Sequence, residues 1–165
     1  MALPAILEDM TYVGEGEQNA VLARRAAQLR MTVGTMTARV VASGVMTGGR
    51  YSLYQLDLAP EGGGAAPHFH RTFAESFHVL SGVVRLYDGT QWTEAGPGDH
   101  LFVPEGGIHG FRNERPEPVS MLMASTPAAP REAYFAELAE IAVTGAELTP
   151  PEWTALYARH DQYMV

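Results

Sequence analysis

From residue 35 to residue 124 no apolar run outlasts a strand, and turn residues stand between the runs. The runs are 35–42, 51–58, 76–80, 83–87, 100–103 and 119–124. Between them lie Ser43-Gly44, Gly48-Gly49, a Gly-rich loop over 60–67, Ser81-Gly82, Asp88-Gly89, Gly96-Pro97-Gly98 and Gly106-Gly107. A helix needs about 10–12 residues of sustained periodicity, and these runs are too short for it. Asp88-Gly89, set between 83–87 and Gln91, Trp92 and Thr93, is a hairpin signal, because both residues tolerate the positive φ of a tight turn. Many short strands at close spacing predict an all-β sandwich or barrel. The composition agrees, with Gly 17 and Pro 11 in a chain of 165 residues.

The ends differ from this middle. Residues 1–18 read as an irregular arm, and 20–30 has helical composition without a clean apolar stripe, so it fits helix or strand. After Pro127 the period changes: Tyr134, Phe135, Leu138, Ile141 and Ala142 recur at helical spacing behind Pro130. A second helix is expected from Thr149, where Thr149-Pro150-Pro151-Glu152 has capping-box spacing and Trp153, Leu156, Tyr157 and His160 follow on one face. The length fits one domain. Its expected parts are an arm and first element over 1–34, a barrel core over 35–126 and a helical segment over 127–165.

Charge and composition exclude several functions. The chain carries 11 basic against 19 acidic residues, a formal net charge of -8. A nucleic-acid binder or a protein held on an anionic membrane would show basic patches instead. All the basic residues are arginine, which excludes a Schiff-base lysine. Cys is absent, and with it go disulfides, thiol nucleophiles and cysteine-ligated zinc or iron–sulfur sites. There is no apolar stretch long enough to span a membrane. The start of the chain, with Glu8 and Asp9, lacks the basic n-region of a signal peptide, so a cytoplasmic protein is expected.

Any metal site must therefore use histidine and carboxylate. His68 and His70 are two apart, and in extended chain such residues point to one face. Glu75 follows after four residues, and His109 comes after the Gly106-Gly107 turn. Three imidazoles and one carboxylate suit a borderline divalent metal such as Fe, Mn, Ni, Cu, Co or Zn.

The spacing resembles a known family. Gly62, five residues, His68-x-His70, four residues, Glu75, six residues and Gly82 resemble the first cupin motif. Gly98, five residues, Pro104-x-Gly106, two residues, His109, three residues and Asn113 resemble the second. The fifteen residues between the motifs are similar to the compact, single-domain bacterial members, including the quercetinase-like ones. The resemblance implies a jelly-roll-type β-barrel with one or two C-terminal helices. It implies one divalent metal per chain, held by His68, His70, Glu75 and His109, with Asn113 closing a structural hydrogen bond. It further implies a small-molecule substrate and a homodimer, while the acidic balance argues against a nucleic-acid or membrane partner.

Alternation from the ligand positions places Phe77 and Phe111 on the metal's face. Tyr54, Phe73, Phe102, Met121 and Met123 are further candidates for an apolar substrate pocket. His78 is expected to point away, and His100 and His160 are expected to be non-ligands. Arg85 or Arg112 could meet an anionic substrate. Three functions fit such a site. The first is an O2-dependent, dioxygenase-type oxidoreductase on a small hydroxylated or aromatic metabolite, with Glu75 both ligand and proton acceptor. The second is a non-redox isomerase, cyclase, hydrolase or lyase that uses the metal as a Lewis acid. The third is a ligand-binding protein without turnover.

Overall fold

Turn chemistry folds the expected runs into antiparallel strands, and two of the pairings place the site. The computed structural model describes Gly16 and residues 19–165. Most of the arm expected over 1–18 lies outside the described residues. Residues 20–30 become a short 3-10 turn at Arg25–Ala27 that leads into a strand.

The described strands are β1 (Arg30–Val33), β2 (Met36–Ala42), β3 (Ser52–Leu58), β4 (Gly64–Phe69), β5 (Ala74–Ser81), β6 (Val84–Tyr87), β7 (Trp92–Ala95), β8 (His100–Val103), β9 (His109–Arg112), β10 (Val119–Thr126) and β11 (Tyr163–Met164). They form two sheets, ordered β1-β2-β3-β10-β5-β8 and β11-β4-β9-β6-β7. Buried and half-exposed residues alternate along β3 and β5, as strands with one face inward require. The inward residues join in one core: Tyr54, Leu56, Phe77, Val79 and Met121 from the first sheet, Val84, Leu86 and Phe111 from the second.

Three features depart from the sequence reading. The Gly-rich loop over 60–67 ends early, because β4 already begins at Gly64. Strand β9 was hidden in the short segment after the Gly106-Gly107 turn, and the two-residue β11 at the chain's end pairs with β4. The first sheet also begins at Arg30, ahead of the barrel core expected from residue 35, and Met31 is buried in the core.

Two helices close the structure, α1 (Arg131–Thr144) and α2 (Pro150–Arg159). Thr149 caps α2 as its spacing predicts: its backbone N–H donates to the Glu152 carboxylate at 2.7 Å. Tyr134, Phe135 and Leu156 seat both helices on the barrel core. Tyr54 fixes the start of α1, its hydroxyl donating to Glu132 at 2.8 Å and to the Ala129 carbonyl at 3.3 Å.

Candidate metal centre

His68 lies on β4, His70 one residue past its end, Glu75 on β5 and His109 at the start of β9. His68 and His109 are direct register partners across β4 and β9. Cross-strand partners stand about 5 Å apart, so pairing alone brings two imidazoles together. A close backbone approach helps set that pairing. A Cβ on Gly64, whose φ is +153, would lie 2.5 Å from the Phe111 carbonyl oxygen on β9. Only glycine lets the strands meet there. Gly106, at φ +77, donates its N–H to the His70 carbonyl at 2.6 Å and ties the second turn to the first histidine pair.

One donor atom from each of the four side chains lies within 4.8 Å of the others. None of the four residues is more than 3% exposed. Each imidazole is oriented from behind by a backbone carbonyl. His68 Nδ1–H donates to Ala66 at 2.7 Å, His70 Nδ1–H to Asp161 at 2.6 Å and His109 Nδ1–H to Gly107 at 3.0 Å. A carbonyl only accepts, so the proton sits on Nδ1, and in a neutral ring Nε2 carries the lone pair. Backbone-anchored Nδ1–H groups are the usual second layer behind metal-binding histidines.

The Nε2 atoms converge on Glu75. Its Oε2 lies 3.0 Å from His109 Nε2 and 3.3 Å from His70 Nε2. Lone pairs facing a carboxylate at such distances repel unless a cation or a proton stands between them. His70 Nε2 and Glu75 Oε1 lack a hydrogen-bond partner. Buried polar atoms are rarely left so. The donor set, the fixed tautomers and the unpaired atoms all fit a divalent metal ion. Burial, and then the neighbouring His109, push the His68 imidazole down to about 3, so that ring stays neutral at working pH.

A clamp from the far end of the chain holds His70, and no sequence pattern signals it. Asp161, just before β11, supplies the carbonyl behind His70. Its carboxylate accepts from Arg71 N–H at 3.0 Å, Thr72 N–H at 2.8 Å and Thr72 Oγ1 at 2.7 Å. Asn113 acts as expected, donating to the Ala59 and Glu117 carbonyls at 2.8 Å each.

Beside the cluster opens a cavity of about 370 Å³, with His68 and Glu75 on its wall. Phe111 and Met123 line it, and Phe135, Leu138, Ile141 and Trp153 close it from the helices. The other expected pocket residues lie elsewhere. Phe73 is buried against the His70 ring, 4.3 Å between centroids, and Phe77 packs between His109 and Phe111. Tyr54 and Met121 are fully buried in the core. Phe102 is 63% exposed, because on β8 it shares the outward face with His100 while Val103 turns in. His78 does point away, toward His100, and His160 pairs with Glu137 at 2.7 Å. Arg85 and Arg112 both pair with Glu114 at the surface, away from the cavity. The arginine on the cavity wall is Arg131, which no local pattern marks.

Residues 55–125 match the family described as Cupin domain. The chain's two antiparallel sheets with C-terminal helices form a cupin-type fold. The chain is similar to quercetin 2,3-dioxygenase of Bacillus subtilis (strain 168), 28% identical over 111 residues, 67% of this chain and 32% of that protein. The chain thus spans about a third of the curated relative's length. Its fold is similar to the polyketide cyclase RemF of Streptomyces resistomycificus, with a TM-score of 0.58 and 23% identity over 68% of this chain and 82% of that one. It is also similar to Pac13, a nucleoside dehydratase, with a TM-score of 0.54 and 16% identity over 69% and 88% of the two chains. No helix among the described residues is long and apolar enough to cross a membrane.

Proposed function

We propose that this cupin is a metal-dependent, dioxygenase-type enzyme acting on a small hydroxylated aromatic molecule. His68, His70, Glu75 and His109 hold one divalent metal ion per chain. The observation that carries the reading is a buried cluster of three imidazoles and one carboxylate, two of whose members, His68 and Glu75, line a mostly apolar cavity. The similarity to a quercetin dioxygenase supports the oxidative form. A redox metal there would let dioxygen react with a deprotonated substrate; both oxygen atoms end in the products, so no external reductant is needed.

The chain's own residues do the rest. Phe111 and Met123 hold the aromatic body and exclude water. Glu75 takes the substrate's hydroxyl proton, a role supported by its one carboxylate oxygen, Oε1, that has no protein partner. The same free oxygen supports a second, non-redox reading, a proton-transfer isomerisation or cyclisation in the same cavity. The expected homodimer and cytoplasmic location belong to this proposal too, and light scattering of the purified protein tests the first.

The test is oxygen uptake by protein reconstituted with Fe, Mn, Ni, Cu or Co, offered a panel of flavonols, enediols and phenols. Uptake with at least one of them, absent in Glu75→Gln, is the expected result. Turnover that is equal with and without oxygen would replace the oxidative form by the non-redox one. No turnover across the panel would leave a ligand-binding protein.

A further inference from the structure

Arg131 opens α1 and is 5% exposed, yet it lines the cavity beside the metal cluster. Its Nη1–H donates to the His160 carbonyl at 3.1 Å, and its Nη2–H to Gln162 Oε1 at 2.8 Å. The guanidinium carbon lies 4.1 Å from the centroid of the Tyr134 ring. Its Nε–H has no protein acceptor.

Among the described residues two buried arginines, Arg39 and Arg131, have no ion pair, and of these only Arg131 lies on the cavity wall. Arg85, Arg112, Arg115 and Arg159 all reach a glutamate near the surface. Arg131 is far more buried, and among the described residues no carboxylate forms an ion pair with it. A buried guanidinium stays charged and is costly without an anion. Glu75 shares the cavity wall and feels the charge of Arg131, but its near contacts are His70 and His109 and it forms no ion pair with the guanidinium. The remaining wall is mostly apolar and offers no other anion.

We infer that Arg131 is a substrate-anchoring residue that receives a negatively charged oxygen, so that the cavity takes an apolar ring bearing an acidic hydroxyl or carboxylate. This rests on reading the cavity as the substrate site, and it narrows the substrate class. The apolar walls take the ring, and the guanidinium takes the anionic oxygen through a charge-assisted hydrogen bond. Arg131 is thereby the cationic recognition residue, in place of Arg85 and Arg112.

The test uses two probes of one shape, 2-naphthoate and the neutral 2-naphthamide. Their binding to zinc-loaded protein is measured by calorimetry for wild type, Arg131→Lys and Arg131→Gln, with zinc content determined in parallel. Wild type is expected to prefer the anion by about tenfold or more, the scale of one charge-assisted hydrogen bond. Arg131→Lys keeps part of that preference and Arg131→Gln abolishes it, with zinc content unchanged. Preservation of the preference in Arg131→Gln would overturn the assignment and leave Arg131 as a strut between α1 and the C-terminal segment. A wild type with no preference overturns it without any variant. So does a preference that vanishes when zinc is stripped by a chelator, since the anion would then be reading the metal. Oxygen uptake without an anion preference sinks the anchor alone. An anion preference without turnover on any substrate sinks the enzyme reading alone.

Discussion

Two walls face each other across the cavity, and they are built by different means. The barrel wall carries His68, Glu75, Phe111 and Met123 on strands whose neighbours are set by register. The helical wall carries Arg131, Phe135, Leu138, Ile141 and Trp153 on two helices laid against the barrel. On the barrel wall the geometry comes from strand pairing, tight turns and backbone carbonyls behind each imidazole. On the helical wall it comes from where a few buried side chains let the helices rest. The barrel wall is thus suited to hold a metal at fixed distance. The helical wall is suited to set what fits beside it.

If that division holds, the walls can be broken separately. The largest effect is expected from Phe135→Ala, which removes a ring that is 4% exposed and packed edge-on against Tyr54. Loss of a buried phenylalanine costs ~3–5 kcal/mol. Chemical denaturation is expected to show that loss while metal per folded chain stays at the wild-type value. A parallel fall in metal binding would mean that the two walls are one unit.

Asp161→Gly probes a contact that crosses the division. Glycine tolerates the positive φ of 52 at this position but removes the carboxylate that holds Arg71 and Thr72. Looser support behind a ligand typically costs about 10–100-fold in metal affinity. Competition with a chromophoric chelator measures it. An unchanged affinity would show that His70 needs no help from the chain's end.

The smallest effect concerns a turn remote from both walls. Hydrogen bonds from Thr90, side chain first, and from Gln91 hold the Asp88 carboxyl down to about 2, against an ordinary 3.8. Its folded value is depressed, so its contribution is complete above the unfolded value and is lost as pH falls through the folded one. The stability gap between wild type and Asp88→Asn is therefore expected near neutrality and should close between about pH 4 and pH 2. Urea midpoints at several pH values follow it. A gap that persists at pH 2 would mean that the charge of Asp88 is irrelevant to the turn.

The same division explains what the sequence made legible. His68, His70, Glu75 and His109 could be read because each depends on local spacing: alternation in a strand, a turn and re-entry. Asp88-Gly89 and the Thr149 cap were legible for the same reason. Phe102 was misplaced because alternation tells which residues share a face, not which face turns inward. Arg131 and Asp161 could not be read at all. Each meets the site only after the helices have crossed the barrel, and Asp161 reaches His70 across 91 positions of chain. Strand β11, two residues long, is too short for any periodicity to show.

The central claim is that the four clustered side chains hold one metal ion. The most direct measurement is metal content by mass spectrometry, on protein made without chelators or a nickel column, beside a His68→Ala/His109→Ala double variant. About one divalent metal per folded chain in the wild type, and none in the variant, is the expected result. No metal in the wild type even after reconstitution, or an equal amount in the variant, would contradict the assignment.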